Sequence, residues 1–155
     1  MPQLNKGGKF VFGLSKIHHD CTIQFPKQAI EEYNITKENA IILITGSKKT
    51  GGFCVTNKLL LGESKLKHIL NECPELALYK LLPCEFINYK GRGYCWINIS
   101  STGKIKLTQE AMSYLNLSIG DQLLAIRSSD IAFAMGAKGP LLEKSKTYDG
   151  VIDVF

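Results

Sequence analysis

The feature that most constrains the fold of this chain is a segment that occurs twice. When Cys21–Ile44 is moved by 82 positions it falls on Gly103–Ile126, and ten positions are then apolar in both copies. A shared spacing of apolar positions is what a duplicated core requires. Only four aligned pairs are identical, so identity adds little to the argument: Ile23/Ile105, Ala29/Ala111, Asn34/Asn116 and Ile44/Ile126. The sequence therefore predicts two similar halves.

Both copies predict the same order of elements. A short alternating strand is followed by a helix, a turn and a nearly continuous apolar strand that is buried on both faces. Pro26 suits the first helical position, Thr108 suits the N-cap, and Asn34 suits a left-handed helix end. A unit of this size cannot bury its own apolar face, so we expect the two copies to interleave and close a small barrel. The predicted ranges are strands 22–25, 40–45, 104–107 and 122–126, and helices 27–33 and 109–115.

The fold class predicted from these elements is mostly β within the α+β class. A strand from Lys9 places Phe10, Phe12 and Leu14 on one face. Helical spacing of Leu66, Ile69 and Leu70 predicts a connecting helix over 63–72, ended by Pro74 and followed by a helical stretch over 75–82. Further predicted elements are strands 53–56, 84–88, 94–99, 131–135 and 150–155, a glycine-containing turn at 89–93 and a helix at 141–146. The expected division is a first half at 9–56, a connector at 57–83, a second half at 84–135 and an extension at 136–155.

Length and composition set broad limits on the protein. A chain of 155 residues fits one compact unit, and it contains no apolar run long enough to cross a membrane. Residues 1–8 are polar and lack a signal-peptide apolar region, so we expect a cytoplasmic protein without a membrane partner. The net charge of +5 permits contact with a phosphate backbone. Because only Arg92 and Arg127 are arginines, forked recognition of guanine is disfavoured.

Cysteine and histidine spacing gives weak metal signals. The five cysteines contain no Cys-x-x-Cys pair, which predicts free and mostly buried thiols. His18, His19 and Cys21 are metal-ligand types at short spacing, but a site needs a further ligand such as His68. We therefore predict no metal and no cofactor, with His18, His19 and Cys21 as weak candidates only.

The second copy carries a recognisable pattern. Its residues from Ile99 to Leu123 resemble the SpoVT/AbrB swapped-hairpin barrel family, with Lys104 in place of an arginine. The family's Asp, Pro and Arg are replaced by Ser100, Thr108 and Met112, and the first copy keeps Pro26 but has Cys21-Thr22 for Gly-Arg and Glu38-Asn39 for Gly-Asp. The matching positions are Gly103, Lys104, Ile105, Leu107, Glu110, Leu115, Leu117, Gly120, Asp121 and Leu123.

The resemblance implies a DNA-binding transcriptional regulator. Two family-type units in one chain resemble the tandem arrangement of the MraZ regulators, so the implied fold is an intramolecular pseudo-dimer. The related double-psi barrel is an open alternative. The residues that stand where the family contacts DNA are Lys16, Arg92, Lys104 and Lys106. Lysines would contact phosphates rather than bases.

The sequence contains no motif that indicates an enzyme. The chain has no nucleophile elbow, no zinc-protease helix and no carboxylate pair, so we predict a non-enzymatic protein. The loops 46–52 and 136–140 lack the order of a nucleotide-binding loop, although an exposed Lys48-Lys49 pair can contact an anion. A stacking surface for single-stranded nucleic acid could be formed by Tyr89, Tyr94 and Trp96 beside Arg92. The sequence favours inward packing of Tyr94 and Trp96 instead. The alternative function is a barrel used for oligomerisation or small-ligand binding. The sequence does not define the oligomeric state, and a homo-oligomer is one of the open alternatives.

Overall fold

The computed structural model describes residues 10–65, 67–148, 150 and 152–155. It consists mainly of antiparallel sheet with short helices, which confirms the α+β class. The strands are β1 (Val11–Lys16), β2 (Thr22–Gln24), β3 (Ala40–Thr45), β4 (Phe53–Thr56), β5 (Ile87–Tyr89), β6 (Arg92–Asn98), β7 (Lys104–Lys106), β8 (Gln122–Arg127) and β9 (Phe133–Gly136). The helices are α1 (Lys27–Tyr33), α2 (Lys58–Gly62), α3 (His68–Glu72), α4 (Pro74–Ala77), α5 (Gln109–Tyr114) and α6 (Pro140–Lys146).

The strand order exchanges elements between the two halves of the chain. Seven strands form one sheet in the order β1-β8-β9-β4-β3-β6-β5, and β2 pairs with β7 in a separate two-stranded ribbon. β1 and β6, which lie at equivalent places in the two halves, each pair with a strand of the other half, β1 with β8 and β6 with β3. If each strand from β1 to β6 in this order is replaced by its counterpart in the other half, the same order results, read in the opposite direction.

The strand register follows the same exchange. Lys16 pairs with Gln122, and Asn98 pairs with Ala40. Lys16 and Asn98 are 82 positions apart, as are Ala40 and Gln122, so the offset between the two sequence segments also relates these two pairs. At the centre of the sheet, β4 pairs with β9 and Cys54 lies opposite Ala134. The two halves thus occupy positions related by an approximate twofold axis.

The expected closed barrel is absent from the described residues. The seven-stranded sheet has β1 and β5 at its ends, and these ends do not pair with each other. β2 and β7 are three residues long and pair with one another, so they do not bridge the ends of the sheet. The C-terminal segment covers one edge, since Leu14 N donates to Asp153 O at 2.8 Å along β1. At the opposite edge, β5 is the end strand and pairs with β6 on its inner side.

The two faces of the sheet are buried in different ways. The inner face, α1, α5 and the ribbon enclose the main core, where Phe25 and Phe133 meet edge to face at 5.5 Å. The outer face is covered by segments outside the repeated units. α2, α3 and α4 bury Leu61, Ile69 and Leu76 against β3 and β6, each worth about 1.5–3 kcal/mol. On the other half of the sheet, α6 buries Leu142 against β1 and β8.

The connector departs from its prediction. The single helix expected over 63–72 is wrong, because α2 ends at Gly62 and α3 begins at His68. Asn57 Oδ1 accepts from Leu60 N at 2.8 Å and caps α2, a helix that was not predicted to begin there. α3 ends at Glu72, before Pro74, as expected, and Pro74 also begins α4. Leu66 lies outside the described residues.

Strand and helix ends show smaller differences. The strand expected over 84–88 is β5 at Ile87–Tyr89, and the expected strand over 150–155 is reduced to a bridge between Leu14 and Val154. Pro26 is the N-cap of α1 rather than its first helical residue. The predicted roles of Thr108 and Asn34 are confirmed, since Thr108 Oγ1 accepts from Ala111 N and Asn34 has φ 51°. The predicted strand start at Lys9 and the part of 150–155 at residue 151 lie outside the described residues.

Candidate nucleic-acid interface

Two of the predicted site residues, Lys104 and Lys106, lie on the β2–β7 ribbon, which has a regular polar outer face. Ile23 and Ile105 lie opposite each other and are buried in the core. Because side chains alternate across a strand, the neighbours of these isoleucines point outward. The outward residues form two cross-strand pairs, Thr22 with Lys106 and Gln24 with Lys104. The ribbon therefore holds two lysines on one outward face.

Lys104 and Lys106 are both exposed. Among the residues that the structure describes, neither lysine forms a salt bridge. The three salt bridges of those residues are Lys27–Glu31, Arg127–Glu32 and Lys146–Glu143. An unneutralised ammonium group on a strand face is available to an external anion.

Matching turns lead into the two strands of the ribbon. His18 N donates to Thr22 O at 3.0 Å, and Ser100 N donates to Lys104 O at 2.9 Å. In the first turn, Asp20 Oδ1 accepts from the Thr22 hydroxyl at 2.6 Å, and this hydrogen bond lowers the pKa of Asp20. Asp20 therefore keeps a negative charge at one end of the ribbon, where it disfavours a phosphate.

Gln24 is fixed within the fold rather than free to contact a base. Its Nε2 donates to Thr102 O at 2.8 Å and to Phe25 O at 3.1 Å. The bond to Thr102 joins β2 to the turn that precedes β7. No local sequence signal marks Gln24, because its partners become neighbours only when the ribbon forms.

Lys16 lies next to the ribbon, since the hydroxyl of the neighbouring Ser15 donates to Gln24 O at 2.6 Å, whereas Arg92 lies far from the ribbon lysines. Lys16 is exposed at the end of β1, just before the turn into β2. Arg92 is exposed at the start of β6, whereas the chain enters the turn toward β7 after Asn98. Six residues of strand separate Arg92 from Asn98, a distance of roughly 20 Å. Arg92 therefore lies at the far end of the sheet from the strand that carries Lys104.

The weak metal candidates do not assemble. In the described ranges, no group of three or more His, Cys, Asp and Glu residues is placed to hold a metal ion. Cys21 has φ 66° and lies in a turn, so His19 and Cys21 do not lie on an extended segment. His68 is on α3 in the connector. Cys84 and Cys95 are buried, whereas Cys21, Cys54 and Cys73 are partly exposed.

The aromatic residues near Arg92 do not form an open stacking surface. Tyr94 is buried in the outer core. Trp96 Nε1 donates to Leu81 O at 2.7 Å, and its ring meets Tyr79 at 5.2 Å between centroids. These contacts hold both rings beneath the connector, so a stacking role for Tyr94 and Trp96 is not supported.

No protein-family model and no curated protein matches the chain. No helix in the described ranges has the length and apolar character of a membrane span.

Proposed function

We propose that this protein binds duplex DNA as a regulator of the swapped-hairpin type, with Lys104 and Lys106 contacting the phosphate backbone. The observation that carries the proposal is the pair of exposed lysines around buried Ile105, without salt bridges to described residues. Two ammonium groups on the same face of a short strand suit neighbouring phosphates better than a single small anion.

The exchange of strands between the halves supports this type of fold. β1 pairs with β8 and β3 pairs with β6 at matched register, while β2 and β7 meet near the approximate twofold axis. A swapped-hairpin pseudo-dimer requires such cross-half pairing. In this proposal the ribbon is the surface that faces DNA.

The proposed recognition depends on charge and shape more than on base identity. Arg127, one of the two arginines, is paired with Glu32, and Arg92 is remote from the ribbon. Gln24, which could form a forked contact to adenine, uses its amide nitrogen within the fold. The lysines that are left contact phosphates, which carry no direct sequence information.

The proposal is tested by fluorescence anisotropy with a labelled random-sequence DNA duplex. Wild type, Lys104→Gln/Lys106→Gln and the matched control Lys37→Gln/Lys80→Gln would be titrated between about 50 and about 200 mM salt. We expect the ribbon variant to reduce the slope of log affinity against log salt by about 2, since each phosphate contact contributes about 0.9. The control should reduce it much less, because Lys37 and Lys80 are exposed elsewhere.

Absence of measurable binding by wild type at the lowest salt would refute DNA binding by this chain. Equal slopes for the ribbon variant and the control would refute the ribbon as the contact surface.

The second candidate is an oligomerisation or small-ligand module, and the connector favours it. Leu59, Leu78 and Leu82 are more than half exposed. An open depression of about 520 Å³ beside Leu59 is lined by Glu38, Lys58, Leu59, Gly62, Glu63 and Leu70. Sedimentation equilibrium of wild type and Leu59→Ser/Leu78→Ser tests this candidate, which requires a wild-type oligomer that the substitutions weaken.

A further inference from the structure

One end of the seven-stranded sheet collects basic residues from three separate chain segments. Lys48 and Lys49 lie in the loop between β3 and β4, Lys138 follows β9, and Arg92 begins β6. The strands β9, β4, β3 and β6 are consecutive neighbours in the sheet. We name Lys48, Lys49, Arg92 and Lys138 the cationic rim; all four are exposed.

Hydrogen bonds hold the segments of the rim together. Ala137 N and Lys138 N both donate to Thr50 O, at 2.9 and 3.0 Å. The Lys138 side chain lies over Gly51, where an added Cβ would come within 3.5 Å of Lys138 Cε. On the other side, Gly93 N donates to Thr45 Oγ1 at 3.0 Å and fixes the start of β6 beside the loop.

The backbone beneath the rim is tightly packed. Gly52 has φ +61°, and a Cβ there would lie 1.9 Å from Met135 O. A Cβ at Gly46 would lie 2.0 Å from Gly51 O. The glycines therefore allow the loop to pack against β9 and against itself, so the lysines project from a well-fixed backbone. Such a platform loses less conformational entropy on binding than a mobile loop does.

In the described residues, the equivalent end of the other half carries charges of both signs. There the β8–β9 loop contains Ser128, Ser129 and Asp130, and Arg127 is neutralised by Glu32. Lys58, which follows β4 as Lys138 follows β9, lies over the Tyr79 ring. Among the described residues of that end, Arg127 and Lys58 are positive, and Asp130 and Glu32 are negative.

The rim itself contains no acidic residue. The segments 46–52, 90–92 and 136–139 have neither Asp nor Glu. Within the described part of the chain, none of the four rim cations forms a salt bridge. Like charges held together repel each other, and the mirrored end shows that the fold does not require them. An external polyanion would remove this repulsion.

We propose that the cationic rim is a second phosphate-contacting surface for duplex DNA, distinct from the β2–β7 ribbon. This inference rests on the proposed function, because the ligand is the same DNA. The rim crosses four strands, about 14 Å at the usual strand spacing, which is several times the size of one phosphate group. Over that length, duplex DNA presents about eight phosphate charges.

The rim and the ribbon lie at opposite ends of β3. Ile99 N donates to Asn39 O just before β3, on the path from β6 into the ribbon, whereas the rim follows Thr45. The length of β3 separates the two places by roughly 17 Å. DNA contact at both would extend the bound surface well beyond the two lysines of β7.

The test uses the full chain and a fluorescein-labelled random-sequence DNA duplex. Wild type, the rim variant Lys48→Gln/Lys49→Gln/Lys138→Gln, the ribbon variant Lys104→Gln/Lys106→Gln and the control Lys37→Gln/Lys67→Gln/Lys80→Gln would be compared. The control removes the same number of positive charges as the rim variant, from exposed sites elsewhere. Thermal unfolding midpoints check that all four proteins are equally folded.

We expect the rim variant to reduce the slope of log affinity against log salt by about 2 to 3, beyond the loss in the control. A wild-type protein that binds DNA while the rim variant matches the control overturns the rim alone. Loss in the rim variant with an unchanged ribbon variant supports the rim and overturns the ribbon. No binding by wild type overturns the proposed function and the rim with it.

Discussion

Ile23 and Ile105 lie directly opposite each other in the β2–β7 ribbon, and both side chains are buried in the core. They are also equivalent positions of the two repeated segments, 82 residues apart. A residue and its own counterpart can be cross-strand neighbours only near the axis that relates the two halves. The ribbon therefore sits on that axis and joins the halves to each other.

The first prediction concerns this pair. Ile23→Ala and Ile105→Ala should each lower the free energy of unfolding by about 2–5 kcal/mol, because each removes buried methyl groups and leaves a cavity. The two costs should be similar, since the environments are equivalent. The double variant should deviate from additivity, because the residues are in contact. Urea unfolding measures all three values.

The control for this prediction is Ile119→Ala. Ile119 is 57% exposed, so its substitution should change stability by no more than about 0.5 kcal/mol. A cost at Ile23 several times that at Ile105, or a cost at both as small as at Ile119, would contradict the equivalence.

The second prediction concerns Gly103 in the turn before β7. Gly103 has φ +86°, and a Cβ there would lie 2.1 Å from Ile30 Cδ1. Gly103→Ala should therefore cost both backbone strain and displacement of the Ile30 side chain, more than about 2 kcal/mol in all. Urea unfolding provides the measurement.

Gly91→Ala is the matched control, because Gly91 has φ +84° but no atom within 4 Å of an added Cβ. It should show the strain alone, about 1 kcal/mol. Adding Ile30→Ala to Gly103→Ala should recover part of the excess. An equal cost for Gly103→Ala and Gly91→Ala would mean that the contact with Ile30 is unimportant.

The elements that the sequence predicts correctly are those with a strong local signal. Helix α1 begins at Lys27 and ends at Tyr33 as expected, because Pro26 and Asn34 define its ends by their backbone preferences. The alternation of Lys104, Ile105 and Lys106 was sufficient to predict a strand with two outward lysines.

The parts that could not be predicted depend on contacts between distant segments. The short helices of the connector are positioned by Leu61, Ile69 and Leu76 against the outer face of the sheet, which helical spacing alone does not specify. The pairing of β2 with β7 in a separate ribbon likewise joins segments that are far apart in the sequence. The separation of Arg92 from Lys104 becomes visible only with the strand order, as does the proximity of Lys48 and Lys138.

The third prediction concerns thiol reactivity. Burial raises the pKa of the Cys84 and Cys95 thiols, and the reactive species in alkylation is the thiolate. At about pH 8, alkylation of the folded protein should therefore be at least about tenfold slower at Cys84 and Cys95 than at half-buried Cys21. Iodoacetamide labelling followed by peptide mass spectrometry measures the order.

Labelling in urea provides the control, since unfolding should equalise the rates. Rapid labelling of Cys95 in the folded protein would show that the strand pair β3–β6 opens far more often than its buried position implies.

The fourth prediction concerns stability at alkaline pH. Burial raises the pKa of Tyr33 to about 12 from its ordinary value of 10.0, with nearby Glu32 adding to the shift. The Tyr33 hydroxyl donates to Ser129 O at 2.7 Å, a bond that only the protonated hydroxyl can make. Because the folded-state pKa is raised, this stability is fully present below pH 10.0 and is lost as the pH rises toward about 12.

Tyr33→Phe should therefore be less stable than wild type at neutral pH, by about 1 kcal/mol for the lost hydrogen bond. The difference should shrink as the pH rises through the window between the two pKa values, because only wild type must then lose a proton on unfolding. Urea unfolding at a series of pH values measures it, with Tyr148→Phe as the control at an exposed position. A constant difference between wild type and Tyr33→Phe across that window would show that Tyr33 does not titrate as its buried position requires.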